Sequence, residues 1–409
     1  MAKLKMISLF TGAGGLDYGL EAAGFESKLA LEMDGGCCST LRLNREWPII
    51  EKDIHETSSE EILSIAGLER KETDLLVGGP PCQPFSKSAY WRTGDTARLD
   101  DPRAQTLDAY MRCVEDILPK AFLLENVHGI SYSGKEEGFK FLERMVTEIN
   151  KMQDVDYRFS WAVLDAVAYG VPQKRRRFFL VANRMGKSYR FPSPTHWYSE
   201  DNNEQTILHA ADLLPSLTSW DAIGDISPPE AEDLEMKGKW SDLLPSIPEG
   251  ENYLWHTNRK GGLPLFGWRT RFWSFLLKLA KNLPSWTIQA QPGPAVGPFH
   301  WNNRRLSVEE LARLQTFPTR IRFAGGRTSI QKQIGNAVPS LLGEILGRSI
   351  IRQIFERQIR VSPKLQIGYN RPIPPPEPVQ PVHDKFLHLV GEHQDHPGTG
   401  KGPGALNRM

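Results

Sequence analysis

The strongest candidate for chemistry is a cysteine held in a stiff turn, GGPPCQPFS, which runs from Gly78 to Ser86. Pro81 and Pro84 lie close on either side of Cys82, and each proline fixes its own φ and restricts the preceding residue. A thiolate attacks electrophilic carbon best when its loop is fixed and nearby donors or cations lower its pKa. A single cysteine is most often a buried small hydrophobe, so the turn, not the residue type, favours a nucleophile here.

An acidic side chain is expected at the same place as this turn. Cys82 follows the apolar run DLLVGG, and Glu125 ends the apolar run AFLLENV. Because the carboxyl ends of parallel strands meet at one edge, where open α/β sheets bind ligands, both side chains are predicted to lie in one cleft. The basic segment QKRRR, residues 173–177, precedes another apolar run and, taken alone, is also typical of an ordinary strand start.

A glycine-rich turn, FTGAGG, lies between a predicted strand and a predicted helix, where backbone N–H groups can approach a ligand. Its spacing is not GxGxxG, so alone it is weak evidence of binding. The next strand ends in LEMD, and Glu32 at its tip could accept hydrogen bonds from ribose hydroxyls. Asp53 could lie beside an adenine ring, although an exposed loop aspartate is an equally good interpretation.

A parallel α/β sheet would position these residues. The first 185 residues alternate short apolar runs with helical stretches. The predicted strands are KMISLF, KLALEM, DLLVGG, AFLLENV and an antiparallel edge pair, YRFSWAVLDA and RRRFFLVAN. The predicted helices are GLDYGLEAAG, GGCCSTLRLNREW, AQTLDAYMRCVEDIL and GFKFLERMVTEINKM, then RFWSFLLKLAKNL in a Pro/Gly/Trp-rich region, SVEELARLQTF, and SLLGEILGRSIIRQIFERQI.

Charge is unevenly distributed along the chain, although the formal net charge is only +1. Residues 200–252 hold 13 acidic side chains against two lysines, whereas residues 255–335 hold 13 basic side chains against two glutamates. The basic segment interleaves aromatic residues with arginine, as in FGWRTRFW and PFHWNNRR, which is typical of surfaces that contact phosphates and bases. The four cysteines match neither a disulfide framework nor a zinc site, and no metal is predicted.

Six segments, in order, resemble the motif series of the cytosine-C5 DNA methyltransferases: FTGAGG, GGPPCQPFS, ENV, Q-x-R-x-R, RRLSVEELARLQTFP and QIGNAVP. The resemblance runs from about Lys3 to Ile351. It implies an α/β fold with an S-adenosylmethionine-dependent methyltransferase Rossmann-like sheet and a second, smaller, irregular target-recognition domain. The implied reaction transfers a methyl group from S-adenosylmethionine to C5 of a cytosine that is flipped out of duplex DNA.

The resemblance also implies roles for matching residues. Cys82 would add to C6 of the cytosine, Glu125 would hydrogen-bond N3 and the exocyclic amine, and Arg177, supported by Arg175, would hold O2. One position departs from the family pattern, because Thr106 stands where a leucine is usual and Leu107 follows it, so either of the two could face the cofactor. The residues expected at the cofactor are Phe10, Gly12, Gly15, Glu32, Met33, Asp53, Ile54, Pro80, Thr106 and Asn336.

The basic segment would supply phosphate contacts and the side chains that read flanking bases. Thr287 and Ile288 resemble a Thr-Leu/Ile pair of family recognition domains. The residues expected at DNA are Gln83, Ser86, Arg269, Arg271, Thr287 and Arg304. The preceding acidic block is interpreted as a linker or outer face that would repel DNA from the wrong side.

Three alternatives fit the sequence less well. An RNA cytosine methyltransferase of the tRNA-modifying branch would carry a Cys-Phe-Thr signature, and no cysteine follows Cys113. A catalytically silent DNA-binding regulator would be expected to lose the nucleophile or the ENV acid, and both are present. An NAD-type Rossmann protein would require GxGxxG and would leave Cys82 unexplained.

The expected domain organisation follows the motifs. Residues 1–190 are predicted to form the first part of the catalytic and cofactor-binding domain, 191–300 a linker and target-recognition domain, 301–360 the return to the catalytic domain, and 361–409 a disordered Pro/Gly-rich tail. No secretion signal or run of roughly 20 apolar residues is evident. We therefore expect a cytoplasmic, nucleoid-associated monomer that binds double-stranded DNA, with no membrane partner.

The expected biology is that of a bacterial restriction-modification system. A cognate restriction endonuclease would act on the same site without forming a stable complex, and an orphan methylase is the alternative. The recognition sequence cannot be read from the chain, because no residue-to-base code applies to its variable region.

Overall fold

The computed structural model describes residues 2–81, 105–127, 137–198, 212–230, 232–269, 272–359 and 361–393. The contacts between residues divide the chain into two compact units. The first unit comprises Met1–Ser216 and Gln315–Ile367, and the second comprises Leu217–Leu314 and Gly368–Met409. The predicted boundaries at 190, 300 and 360 therefore lie earlier in the chain than the observed divisions.

The apolar runs of the first unit form a seven-stranded sheet in the order β3-β2-β1-β4-β5-β7-β6. Strands β1 to β5 are parallel, and β7 is antiparallel to both β5 and β6, which confirms the predicted edge pair. The strands are β1 Leu4–Leu9, β2 Phe25–Leu31, β3 Ile49–Ile50, β4 Leu75–Gly78, β5 Ala121–Val127, β6 Arg158–Asp165 and β7 Arg176–Asn183, with a separate parallel pair, β8 His196–Trp197 and β9 Leu214–Pro215.

Helices cover both faces of this sheet, which is why its central strands are apolar throughout rather than alternating. Six predicted helices are confirmed, although the last ends at Gln353 and not at Ile359. The α-helices are α1 Gly15–Ala23, α2 Gly35–Asn44, α3 Ser59–Ala66, α4 Gln105–Ile117, α5 Glu137–Gln153, α6 Ser219–Ile223, α7 Val308–Leu314, α8 Arg327–Asn336 and α9 Ser340–Gln353. Short 3₁₀ helices lie at Ile54–Glu56, Ala166–Tyr169, Ser241–Ser246, Tyr253–His256 and Asp384–Leu389. No helix in the described ranges has the length and apolarity needed to cross a bilayer.

Helix α9 returns to the first unit after the second and packs closely on α1. A Cβ built on Gly19 of α1 would lie 2.1 Å from the carbonyl oxygen of Ser340. Only a residue without a side chain permits so close an approach. This contact helps attach the carboxyl-terminal motifs to the sheet strand that carries the FTGAGG turn.

Strand β1 lies between β2 and β4, so the order of the strands reverses at β1. In open α/β sheets, a crevice forms at such a reversal, outside the carboxyl ends of the strands. The FTGAGG turn, Glu32, the GGPP turn and Glu125 all lie at or just beyond those ends. The topology therefore brings the predicted site residues to one edge.

The predicted helix RFWSFLLKLAKNL in the second unit is wrong. Its backbone N–H groups bond to distant carbonyls: Leu276 to Ala295 at 2.9 Å and Leu279 to Phe299 at 2.8 Å. The apolar residues have helical spacing, but Leu276 and Leu279 are buried by neighbouring loops instead. Tertiary hydrogen bonds override the local periodicity here.

The described part of the acidic block belongs to the second unit and is not a separate linker. Its carboxylates pair with cations of the basic segment inside the second unit. The pairs are Asp225 with Arg313 at 2.7 Å, Asp233 with Arg305 at 3.7 Å, Glu249 with Lys281 at 3.0 Å and Glu251 with Lys260 at 2.8 Å. Much of the apparent charge asymmetry is therefore neutralised within one folded unit.

The predicted disordered tail is also corrected for its described part. Residues 368–393 belong to the second unit, where Glu377 pairs with the buried Lys281 at 2.7 Å. The ring of Phe386 stacks on Trp240, with centroids 5.6 Å apart and an interplanar angle of 13°. Composition suggested disorder, but a few anchoring residues give this Pro-rich segment a fixed path.

We predict that Phe386→Ala destabilises the second unit, because the ring is only 2% exposed. Loss of a buried phenylalanine typically lowers the free energy of unfolding by about 3–5 kcal/mol. The neighbouring Leu387 is 45% exposed, so Leu387→Ala is a matched control with an expected change within about 0.5 kcal/mol. Calorimetric melting would show the difference, and equal transition temperatures for the two variants would show that the segment does not contribute to the core.

Candidate active site

A cavity of about 660 Å³ opens at the carboxyl edge of the sheet in the first unit. Its size lies in the range of small-molecule sites. Eight of the ten residues predicted at the cofactor line it, together with Glu125 and Arg177. The eight are Phe10, Glu32, Met33, Asp53, Ile54, Pro80, Thr106 and Asn336.

Glu32 is fixed in this cavity by two backbone donors. The N–H of Gly12 donates to Oε2 at 2.7 Å, and the N–H of Asp34 donates to Oε1 at 2.8 Å. Gly12 can present its N–H because its φ of 57° is left-handed. Burial raises the pKa of Glu32 and these two hydrogen bonds oppose the shift. Each carboxylate oxygen has a further lone pair with which to accept a hydroxyl.

Gly12 and Gly15, which are expected to allow the close turn at the cofactor, do not line the cavity themselves. Gly12 acts through its hydrogen bond to Glu32. A Cβ on Gly15 would lie 2.6 Å from the carbonyl oxygen of Val338, so this glycine allows α1 to approach the junction of α8 and α9. The close approach that Gly15 permits is therefore between two parts of the protein, α1 and the α8–α9 junction.

The structure distinguishes the two residues left open at the start of α4. Thr106 lines the cavity, and its Oγ1 donates to the carbonyl oxygen of Pro81 at 3.2 Å. Leu107 is 6% exposed and packs into the hydrophobic core. The polar residue thus occupies the position at which the family pattern has leucine.

Glu125 and Arg177 form an ion pair in the same cavity. In the antiparallel ladder Glu125 is opposite Phe179, so Arg177, two residues earlier, is a diagonal neighbour on the same face. Arg177 Nε lies 3.0 Å from Glu125 Oε1, and the two side chains are 16% and 13% exposed. Burial raises the pKa of Glu125, and the Arg177 charge acts in the opposite direction.

The GGPP turn lies directly against this ion pair. A Cβ built on Gly79 would be 2.9 Å from Glu125 Oε2, and Asn126 Nδ2 donates to the carbonyl oxygen of Pro80 at 3.3 Å. Pro81 lines the cavity as well. Cys82, the next residue, lies outside the described ranges. The chain that leads to the candidate nucleophile is therefore held beside Glu125.

Arg175, which is expected to support Arg177, lies outside the cavity lining. It is 1% exposed and donates from Nη2 to the carbonyl oxygen of Gly335 at 2.8 Å. Gly335 precedes Asn336 at the end of α8. We therefore interpret Arg175 as a positioning residue that connects the start of β7 to the Asn336 wall of the cavity.

Among the cavity residues that the sequence analysis did not single out, Asp34 and Lys332 form an ion pair. Asp34 caps α2 by accepting from the N–H groups of Gly36 and Cys37, and it binds Lys332 Nζ at 2.7 Å. The Lys332 ammonium lowers the pKa of Asp34. An Asp before two glycines is a helix-cap signal, and Lys332 lies one helical turn before Asn336, so both were recognisable.

The structure describes three of the six residues that are expected at DNA. Arg269 and Thr287 are exposed in the second unit, whereas Gln83, Ser86 and Arg271 lie outside the described ranges. Arg304 is already engaged within the protein: its guanidinium forms a fork with the carboxylate of the fully buried Glu310, at 2.8 and 2.7 Å. Such a bidentate pair occupies the donors that a phosphate would need.

The fold and the cavity define a Rossmann-like, S-adenosylmethionine-dependent methyltransferase. An acid stands at the tip of the second strand, and a buried acid–guanidinium pair lies across the same cavity. A family model described as C-5 cytosine-specific DNA methylase matches residues 4–352. The chain therefore belongs to the C-5 cytosine-specific DNA methylases, enzymes that methylate cytosine in DNA with S-adenosylmethionine as the donor.

Individual relatives agree with this assignment. The chain is 38% identical over 376 residues to the Type II methyltransferase M.SacI of Streptomyces achromogenes, covering 86% of this chain and 94% of that protein. It is 42% identical over 249 residues to M.AquIA of Picosynechococcus, covering 59% of this chain and 97% of that protein. The solved Entamoeba histolytica methyltransferase EhMeth has the same fold, with a TM-score of 0.57 at 15% identity over 87% of this chain and 99% of that chain.

We predict that Gly79→Ala impairs methyl transfer without unfolding the protein. The new methyl group would displace the Glu125 carboxyl, and a misplacement of about 1 Å at a reacting group can lower the rate on the order of 100-fold. Gly326→Ala is the matched control, because a Cβ there meets nothing within 4 Å. Single-turnover rates and melting temperatures would be compared. Wild-type rates in Gly79→Ala would contradict the role of this close approach.

Proposed function

We propose that this chain is a modification methyltransferase that acts on one cytosine in a specific duplex sequence, with Cys82 as the nucleophile and Glu125 and Arg177 as its partners. The observation that carries the proposal is the buried Glu125–Arg177 pair, which lies in the cavity beside the turn leading to Cys82. Cytosine presents an acceptor at O2, an acceptor at N3 and a donor at its exocyclic amine. A guanidinium next to a carboxyl group matches these three groups.

The mechanism begins with addition of the Cys82 thiolate to C6 of the flipped cytosine, which makes C5 nucleophilic. Because burial raises the pKa of Glu125, its carboxyl group can hold a proton and donate to N3 as negative charge develops there. The other carboxyl oxygen accepts from the exocyclic amine, while Arg177 donates to O2. After methyl transfer, loss of the C5 proton allows the Cys82 thiolate to leave. The residue or water that takes this proton is not assigned.

The cofactor end of the cavity fits S-adenosylmethionine, which supplies an electrophilic methyl group when bound. Met33 is 66% exposed, an unusual state for a large apolar side chain, and with Phe10 and Ile54 it offers a surface for a flat ring. Glu32 would accept the ribose hydroxyls, and Asp53 would border the adenine. Pro80, Thr106 and Asn336 would line the methionine end.

The relatives and the second unit support the remaining parts of the proposal, which concern the partner enzyme and the DNA-reading residues. Because the relatives are Type II methyltransferases, a restriction endonuclease that recognises the same sequence, without a stable complex, is the proposed partner. The second unit would act as the target-recognition domain, with Arg269, Arg271 and Thr287 at the DNA. A monomer acting at the nucleoid is consistent with a site built entirely from one chain.

The proposal is tested by bisulfite sequencing of DNA from a host that expresses the protein. Wild-type protein should methylate one cytosine in one recurring sequence, and Cys82→Ser should methylate none. The same variant should not form a covalent adduct on duplex DNA with 5-fluorocytosine at the target position, whereas wild-type protein should. An adduct with Cys82→Ser would remove Cys82 from the nucleophile role, and no methylated cytosine in any context with wild-type protein would refute the function.

A further inference from the structure

The first unit contains a second cavity, of about 740 Å³, which shares no lining residue with the active-site cavity. One wall is the outer side of α9, and the others are segments around residues 189–196 and 359–366. No aspartate or glutamate lines it in the part of the chain that the structure describes. An absence of carboxylates around several arginines favours an anionic ligand.

Arg190 and Arg352 are the two exposed arginines that line this cavity. Neither guanidinium has a hydrogen-bond or ion-pair partner among the described residues. The Gln353 side chain bonds both backbone groups of Arg190, at 3.0 Å to its N–H and 2.8 Å to its carbonyl oxygen. This clamp holds Arg190 next to the end of α9, which carries Arg352.

A third arginine forms part of the wall itself. Arg348 is 8% exposed, and its guanidinium donates to the carbonyl oxygens of Val361 and Ser362. Its charge is compensated by the fully buried Glu344, 3.4 Å away, which also accepts from the N–H groups of Lys364 and Leu365. These bonds fix residues 361–365 as a wall of the cavity. They do not involve the guanidinium groups of Arg190 and Arg352.

His196 also lines the cavity and is 5% exposed. Its Nδ1 lies 2.9 Å from Thr195 Oγ1, and its Nε2 is closed off from solvent and has no hydrogen-bond partner among the described residues. A ligand in the cavity would therefore be recognised by the arginines and the apolar wall, not by this nitrogen.

The other walls are apolar, with Tyr169, Phe191, Leu341 and Ile345 among them. A simple inorganic anion would leave this surface and most of the volume unused. We propose that the cavity binds a nucleoside phosphate, with its phosphates on Arg190 and Arg352 and its base against the apolar wall. Guanidinium groups suit phosphate because their planar donors match its oxygens.

The proposal is tested by calorimetric titration of the full-length protein, saturated with S-adenosylhomocysteine so that the active-site cavity is filled. The probes are GTP and inorganic pyrophosphate. We expect GTP to bind saturably and at least tenfold more tightly than pyrophosphate, because only GTP contacts the apolar wall. Loss of two charge-assisted contacts in Arg190→Gln/Arg352→Gln should weaken GTP binding by at least tenfold.

The control Arg144→Gln/Arg158→Gln removes two arginines that are 65% and 59% exposed elsewhere on the first unit, and it should bind GTP like wild type. Methyl transfer should be unchanged in both double variants, so failure here is distinct from failure of the proposed function. The inference is overturned if GTP does not bind saturably, if Arg190→Gln/Arg352→Gln binds it like wild type, or if pyrophosphate binds as tightly as GTP.

Discussion

The active site depends on a carboxyl group and a guanidinium that are buried side by side, Glu125 and Arg177. Burying either charge alone would be costly, and removing one partner of such a pair typically destabilises a protein by about 3–5 kcal/mol. The pair persists because antiparallel pairing of β5 and β7 makes the two residues diagonal neighbours on one face. Both residues line the cavity, and we propose that their remaining donors and acceptors meet one edge of cytosine.

Other contacts in the first unit form the cavity around the Glu125–Arg177 pair. The reversal of strand order at β1 opens the cavity at the carboxyl edge, and Gly79 lets the turn before Cys82 approach the Glu125 carboxyl. Arg175 connects the start of β7 to the end of α8, so residues distant in sequence share one wall. The Glu32 carboxylate, held by two backbone N–H groups, occupies the cofactor end of the same cavity.

The sequence predicted the sheet and most of the site because both depend on local patterns: apolar runs, strand tips and short motifs. The sequence-based predictions were wrong where contacts between residues far apart in the sequence determine the structure. RFWSFLLKLAKNL has helical spacing, but its N–H groups bond to carbonyls about 20 residues away in the sequence, such as Leu276 to Ala295. The α3 cap, Ser58 accepting from Glu61, was a readable signal that was missed. The anchoring of the Pro-rich segment through Phe386 was not readable from composition.

We propose that the Glu125 carboxyl group is protonated and donates a hydrogen bond to cytosine N3. The pH dependence of single-turnover methyl transfer tests this role most directly. The raised pKa keeps the carboxyl protonated to higher pH than usual, so the wild-type rate should fall as pH rises through that pKa. Glu125→Gln cannot transfer a proton, and it should lower the rate by about 10²–10⁴-fold and remove the falling limb. A Glu125→Gln rate within twofold of wild type, with the same profile, would contradict the account.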